Sequence, residues 1–297
     1  MRFGLLVAYR YRGPVYVVSV VLLVAVALSS FLTLGEGARL VRTALAIGAM
    51  CLLAMCVVLA LTVPRLLPER KTMVVSSPVR GSWLAMNSPA STVPSHGVRM
   101  YGQTYAIDLV HTPAGAPRPE FGDGPAMRRS DEYPAFGEAV FAMIDGTVVR
   151  SSDQHRDHRA RSNWLGVVYM MIEGPFREIG GPGFILGNHV TIRGRNGEYA
   201  TVAHLKQRSA VVRPGDAVSA GQRIGRCGNS GNSSEPHVHA QLMDRSAPLT
   251  AQGIPMAFSR IALGDDTAVV DALPKNDETM TASAALKGEK GRRTPQK

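Results

Sequence analysis

The sequence predicts a mainly β protein, an antiparallel sheet domain preceded by a helical hairpin able to cross a membrane. Three features carry that expectation. Pro14 to Leu34 and Ala44 to Val63 are long apolar stretches without a formal charge. The region after them alternates short β-rich segments with turn residues, as in "VFAMI" and "TVV" around Asp145-Gly146 and "HVTIRGR" and "EYATVAHL" around Asn196-Gly197. All eight histidines fall between His96 and His239, inside that β-rich region.

A helix rising about 1.5 Å per residue needs roughly 20 residues to cross a hydrocarbon core of about 30 Å. The two apolar stretches, of 21 and 20 residues, are each long enough. A cleaved signal peptide is the alternative for the first, because Ala25-Val26-Ala27 resembles a cleavage site. Its apolar run continues past that point, however, and a second span follows. The short loop Gly35 to Thr43 makes residues 1–63 an antiparallel pair of spans, at about 14–34 and 44–63, with both chain ends on one side. Arg2, Arg10 and Arg12 precede the pair and Arg65, Arg70 and Lys71 follow it, against Arg39 and Arg42 in the loop. Taken alone, that bias places both ends in the cytoplasm.

Beyond the spans, residues 64–72 read as a short basic linker, 73–270 as the β domain, and 271–297 as a disordered tail rich in Lys, Glu, Thr, Ser and Ala. Asp-Gly and Asn-Gly between β-rich runs predict hairpins, because both central residues of the favoured turn need positive φ. Two insertions interrupt the rhythm. Residues 113–134 are rich in Pro and Gly and read as a surface loop. Residues 151–186 contain the apolar segment "NWLGVVYMMIEGPFREI", a helix or strand expected to pack in the core. The other readings are a flap beside a groove or a patch on the bilayer. Cys51 and Cys56 lie in the second span, so Cys227 stands alone in the soluble part and no disulfide framework is possible there. From Pro64 onward 28 basic residues face 22 acidic ones, a surplus that suits lipid headgroups or cell-wall polymers. No nucleic-acid partner is expected.

The sharpest chemical element is "EPHVHAQLMD". Side chains two apart on a strand point to one face, so His237 and His239 address one site while Val238, Ala240 and Leu242 turn to the other. "RCGNSGNSSEP" precedes it as a tight loop, His204 closes the strand "EYATVAHL", and Asp108 lies in the strand-like "YAIDLV".

Together with these segments, "GNHV", "VRPGDAVSAGQRIG" and "GNSGNSSEPHVH", taken in order, closely resemble the lysostaphin-like (LytM-type) zinc endopeptidases, over roughly residues 73–245. The resemblance implies an antiparallel LytM-like peptidase domain with one Zn²⁺ per chain, held by His96, Asp108 and His239. It also implies that His204 and His237 assist catalysis beside the reacting water. Eleven residues separate His96 from Asp108 where the family commonly has three, so Gly97 and Gly102 must return His96 through an extended loop; His111 is the rival ligand.

The set makes chemical sense by itself. Two neutral imidazoles and one carboxylate leave zinc a net charge of about +1 and an open position, the pattern of a catalytic rather than a structural site. His155 and His158, in "DQHRDHRAR", read as part of a solvated charged loop. His189 reads as a packing or hydrogen-bonding residue and Cys227 as a small buried one.

The resemblance implies a zinc-dependent endopeptidase that cuts stem peptides or cross-links of bacterial peptidoglycan. The alternatives are a non-catalytic module of the same fold that binds the wall or activates another hydrolase, and a peptidase acting on a protein near the membrane. The expected location is the cell membrane, multi-pass through the lipid bilayer. Peptidoglycan lies outside that membrane, so the catalytic domain is expected to be extracytoplasmic, against the charge bias.

Overall fold

The computed structural model describes residues 2–283. Its main sheet has eleven strands: β1 (Met73–Val75), β2 (Gly81–Met86), β3 (Ile107–His111), β4 (Gly146–Ser152), β5 (Asn188–Arg193), β6 (Tyr199–Leu205), β7 (Ala217–Val218), β8 (Val238–Met243), β9 (Met256–Leu263), β10 (Val270–Ala272) and β11 (Thr279–Ala282). Their order is β1-β9-β11-β2-β3-β8-β6-β5-β4-β7, with β10 paired to β9 off that path. The β1–β9 pair is parallel and the others are antiparallel, so the expected mainly antiparallel β class holds.

One face of the central strands carries the core. Ile107 and Leu109 of β3, Val202 of β6 and Val238, Ala240 and Leu242 of β8 are buried with Trp83, Ile224 and Phe258. Each fully buried large side chain contributes about 1.5–3 kcal/mol of transfer free energy. The intervening residues, Asp108, Thr201, His239 and Gln241, are buried polar groups on the other face, which is where the site lies.

The expected hairpin at Asn196-Gly197 forms, but over a longer loop, 194–198, in which Gly197 and not Asn196 takes positive φ. It joins β5 to β6, with Arg193 opposite Tyr199 and Gly197 at φ 85°. Asp145-Gly146 does not: the strand before it, Ala139–Phe141, pairs with Arg223–Arg226, and Gly146 is already part of β4. There Gly146 is required by proximity, since a Cβ would lie 2.1 Å from the Arg193 carbonyl oxygen. The Asp145 carboxylate accepts from the Ala220 N–H at 2.8 Å, so the dipeptide redirects the chain between two sheets.

The expected disordered tail begins too early. Residues 270–272 and 279–282 are strands, and β11 inserts between β9 and β2 with Met280 and Ala282 buried. A strand needs an apolar residue only at every second position, and a composition rich in Thr and Ala conceals that alternation. The rest of the expected tail, 284–297, lies outside the described residues.

Two N-terminal helices, α1 (Arg2–Ser29) and α2 (Glu36–Thr62), are long and apolar enough to cross a membrane. Their connection is shorter than expected, because α2 starts at Glu36 rather than near Ala44 and residues 30–34 are outside α1. The charge-free stretches mark what lipid tolerates, whereas helix ends follow backbone hydrogen bonding, which continues past Arg39 and Arg42 and through Pro14. The β domain sits against the start of α1. Arg10 donates to both carboxylate oxygens of Asp244 at 3.3 and 2.9 Å, Arg70 donates to the same carboxylate at 2.9 Å, and Arg12 donates to the Arg99 carbonyl. At Gly13 a Cβ would lie 2.4 Å from the Leu249 carbonyl oxygen, so glycine permits the contact.

Candidate metal centre and flanking histidines

β8 lies between β3 and β6, and its pairing with β3 puts His239 directly opposite Asp108. His239 Nδ1 is 2.8 Å from Asp108 Oδ1, and its Nε2 is 2.9 Å from Gln241 Oε1. Gln241, two residues along the strand, shares the face of His239. Its carbonyl accepts from Nε2–H, which leaves the Nδ1 lone pair directed at the centre. The Gln241 amide is fixed in turn by donating to the Tyr101 carbonyl at 3.0 Å.

His96 arrives from the loop before β3, as the long spacing required. Gly97 and Gly102 both adopt positive φ, 70° and 72°, and the loop closes where Ser95 N–H donates to the Thr104 carbonyl at 3.1 Å. His96 Nε2 then lies 3.0 Å from Asp108 Oδ2, with Nδ1 3.0 Å from the Ser95 hydroxyl. Asn87 donates to the same Asp108 oxygen at 2.8 Å. Donor atoms of His96, Asp108 and His239 all fall within 4.8 Å of one another. His111 is on the opposite face of β3, an odd three positions from Asp108, with its ring stacked on Trp83 at 4.7 Å.

His204, next to the last residue of β6, has φ 59°, a conformation costing on the order of 1–3 kcal/mol in a non-glycine residue. That turn carries its ring to the groove, 4.7 Å from the ring of His237 and 5.6 Å from that of His239. His204 Nδ1–H donates to the Ser230 carbonyl at 2.8 Å and His237 Nδ1–H to the Glu235 carbonyl at 2.8 Å. Each therefore turns its Nε2 toward the centre, and His237 Nε2 is 3.6 Å from Asp108 Oδ1. All five residues line one groove of about 450 Å³.

Electrostatics separates these groups. Burial pushes the Asp108 carboxyl upward, but the charges of the neighbouring His96 and His237 hold it well below the usual carboxylate range. Burial, reinforced by His237 and His239, holds His204 well below the ordinary histidine value. Burial also lowers His237, yet the adjacent Asp108 charge and the hydrogen bond to the Glu235 carbonyl outweigh it and raise that imidazole. The donor set fits a borderline dication: two imidazole nitrogens with their opposite nitrogens engaged, one ionised carboxylate, and an open side toward the groove.

The remaining histidines lie elsewhere. His189 on β5 is buried and bonded to the Gly187 carbonyl at 2.8 Å, and burial lowers it to about 4. The 153–158 segment, read as a solvated charged loop, is instead a strap tied to the domain. Asp157 accepts from Gln207 and Asn229 N–H groups, Asp153 from Ser209, and His158 contacts the Gly231 carbonyl at 2.8 Å. Its two carboxylates are held by backbone donors, which composition cannot reveal. Cys227 is fully buried in the core, as expected. Gln241 was within reach of the same-face rule; Asn87 and the Ser230 and Glu235 carbonyls carry no sequence signal.

The histidine-rich groove thus lies on the central strands of a mainly antiparallel β domain. The family model described as Peptidase family M23 matches residues 131–251, which include His204, His237 and His239 and begin after His96 and Asp108. That match spans 121 of the 297 residues of the chain. The peptidoglycan DD-endopeptidase ShyA of Vibrio cholerae serotype O1 is 37% identical over 121 residues, 40% of this chain and 23% of that relative. Among solved structures, the catalytic domain of the antimicrobial peptidase lysostaphin from Staphylococcus simulans is 19% identical, covering 62% of this chain and 88% of its own, at a TM-score of 0.30. A zinc containing peptidase from Vibrio cholerae is 16% identical, covering 62% and 39%, at a TM-score of 0.29.

Proposed function

We propose that this protein is a membrane-anchored, zinc-dependent endopeptidase that hydrolyses peptide bonds in peptidoglycan. The observation that carries the reading is the convergence of His96, Asp108 and His239 within 4.8 Å, with Nε2 of His204 and His237 turned to the same centre. His96, Asp108 and His239 would hold the metal, and Gln241, Ser95 and Asn87 orient them. Zinc, when bound, supplies Lewis-acid polarisation of a scissile carbonyl and a lowered pKa for water. His204, kept neutral, is suited to accept a proton at Nε2. His237, whose Nδ1–H is fixed on Glu235, is suited to donate from Nε2 to developing charge or to a leaving amine.

The peptidoglycan substrate is supported by the family and by the name of the Vibrio cholerae relative, of which the chain spans 23%. Membrane anchoring is supported by the two long apolar helices. Incubating the full chain in detergent with purified peptidoglycan, with and without a zinc chelator, and analysing muropeptides by mass spectrometry tests the reading. New free amine and carboxyl ends that disappear with chelator are expected. An unchanged muropeptide profile in the presence of zinc would leave the non-catalytic alternative.

A further inference from the structure

The segment 163–179 is a helix, α3 (Trp164–Ile179), and it is built inside out. Asn163 caps it by accepting from the Leu165 and Gly166 N–H groups. Its polar side chains face the protein: Glu173 pairs with Arg161 and Arg177, each at 2.9 Å, and Glu178 accepts from the Tyr101 hydroxyl at 3.1 Å. Its apolar side chains face outward. Trp164, Leu165, Met171, Ile172 and Phe176 are each at least 63% exposed, and Phe121, edge-on to Trp164 at 5.4 Å, extends the patch. A surface helix of a soluble domain has the reverse arrangement, so the expected core packing is overturned.

The place of this face in the fold indicates what covers it. The C-terminal turn of α3, through Pro175, Glu178 and Ile179, meets α1 at Tyr16, Val17 and Val20. Those residues are the first turns of the charge-free stretch, immediately after Arg10 and Arg12. Tyr16 to Val20 covers about 6 Å of helix rise, within the roughly 5–10 Å depth at which interfacial helices lie. The apolar patch is therefore continuous with the surface of a membrane span, at the level where that span meets the headgroups.

We infer that α3 is an interfacial helix that lies in the outer leaflet surface with Trp164, Leu165, Val168, Ile172 and Phe176 immersed in lipid. This rests on the membrane-anchored reading above. Because Met170, Gly174, Pro175 and Glu178 of α3 also line the groove of the five site residues, immersion holds that groove against the bilayer surface.

Trp164 reports on this directly, since the chain has two tryptophans and the other, Trp83, is buried in the core. The full chain and a Trp164→Phe variant are reconstituted in vesicles of zwitterionic and anionic lipid, and the difference of their emission spectra isolates Trp164. A blue-shifted component is expected, quenched more by lipids brominated near the headgroup than by lipids brominated at the chain ends. Ile172→Glu combined with Phe176→Glu is expected to abolish that quenching while the chain still resists alkaline extraction. A Trp164 component quenched by aqueous iodide and untouched by brominated lipid, in chain that resists extraction, overturns the inference alone. A component shielded from both quenchers does so as well, because the covering partner is then protein. Release of the chain by alkali removes the anchoring reading itself.

Discussion

His239 faces Asp108 across an antiparallel strand pair, with Nδ1 2.8 Å from Oδ1, while Gln241 occupies the opposite nitrogen at 2.9 Å. The pair joins two segments more than a hundred residues apart and selects which imidazole nitrogen is free.

Single alanine variants at His96, Asp108 and His239 are expected to lose bound zinc, measured by elemental analysis of purified chain, whereas His111→Ala retains about one equivalent. His111 is stacked on Trp83, away from the centre. Zinc retained in His96→Ala but lost in His111→Ala would overturn the assignment.

Gln241→Leu is expected to weaken zinc binding by roughly 10–100-fold without unfolding the domain, because Nε2–H of His239 loses its acceptor and the ring its orientation. Competition with a chromophoric chelator measures it. Unchanged affinity would show that Gln241 does not set the tautomer.

His204→Ala and His237→Ala are expected to keep zinc and lose turnover by a factor on the order of 10² or more. Release of muropeptide ends at fixed zinc occupancy is the readout. Full turnover in either variant removes that residue from the chemistry.

His189 couples folding to pH. Its value falls from 6.5 to about 4 on folding, so below pH 6.5 the unfolded chain takes up a proton that the folded chain refuses. Stability from this group is complete above pH 6.5, is lost as pH falls toward 4, and amounts to roughly 3 kcal/mol at saturation. Thermal unfolding from pH 7 to 4 is expected to fall less steeply in His189→Gln than in the parent. Parallel curves would disprove the coupling.

Much of this protein was open to reading along the chain. Strand alternation placed His237 and His239 on one face, the hairpin at Asn196-Gly197 formed, and the two apolar stretches became long helices, because each depends on neighbours within a few residues. The family resemblance added His96, Asp108 and His204 as candidates. Other features escaped for one physical reason. Asp145-Gly146 serves a crossing between sheets, the Thr- and Ala-rich end supplies β11, and "NWLGVVYMMIEGPFREI" turns its apolar side outward. In each case a distant partner decides the outcome: Arg193 against Gly146, β2 beside β11, Arg161 drawing Glu173 inward.

The sequence by itself therefore determined the β class, the long apolar helices and the residue types of the site, all consequences of local periodicity and side-chain chemistry. Only the tertiary structure decided that the loop from Pro94 to Thr104 returns His96 to Asp108, that Asn87 and Gln241 orient the donors, and that α3 walls the groove beside α1. Those are pairings between segments far apart in the chain, and hydrogen-bond geometry and burial exist only once the strands have closed on one another.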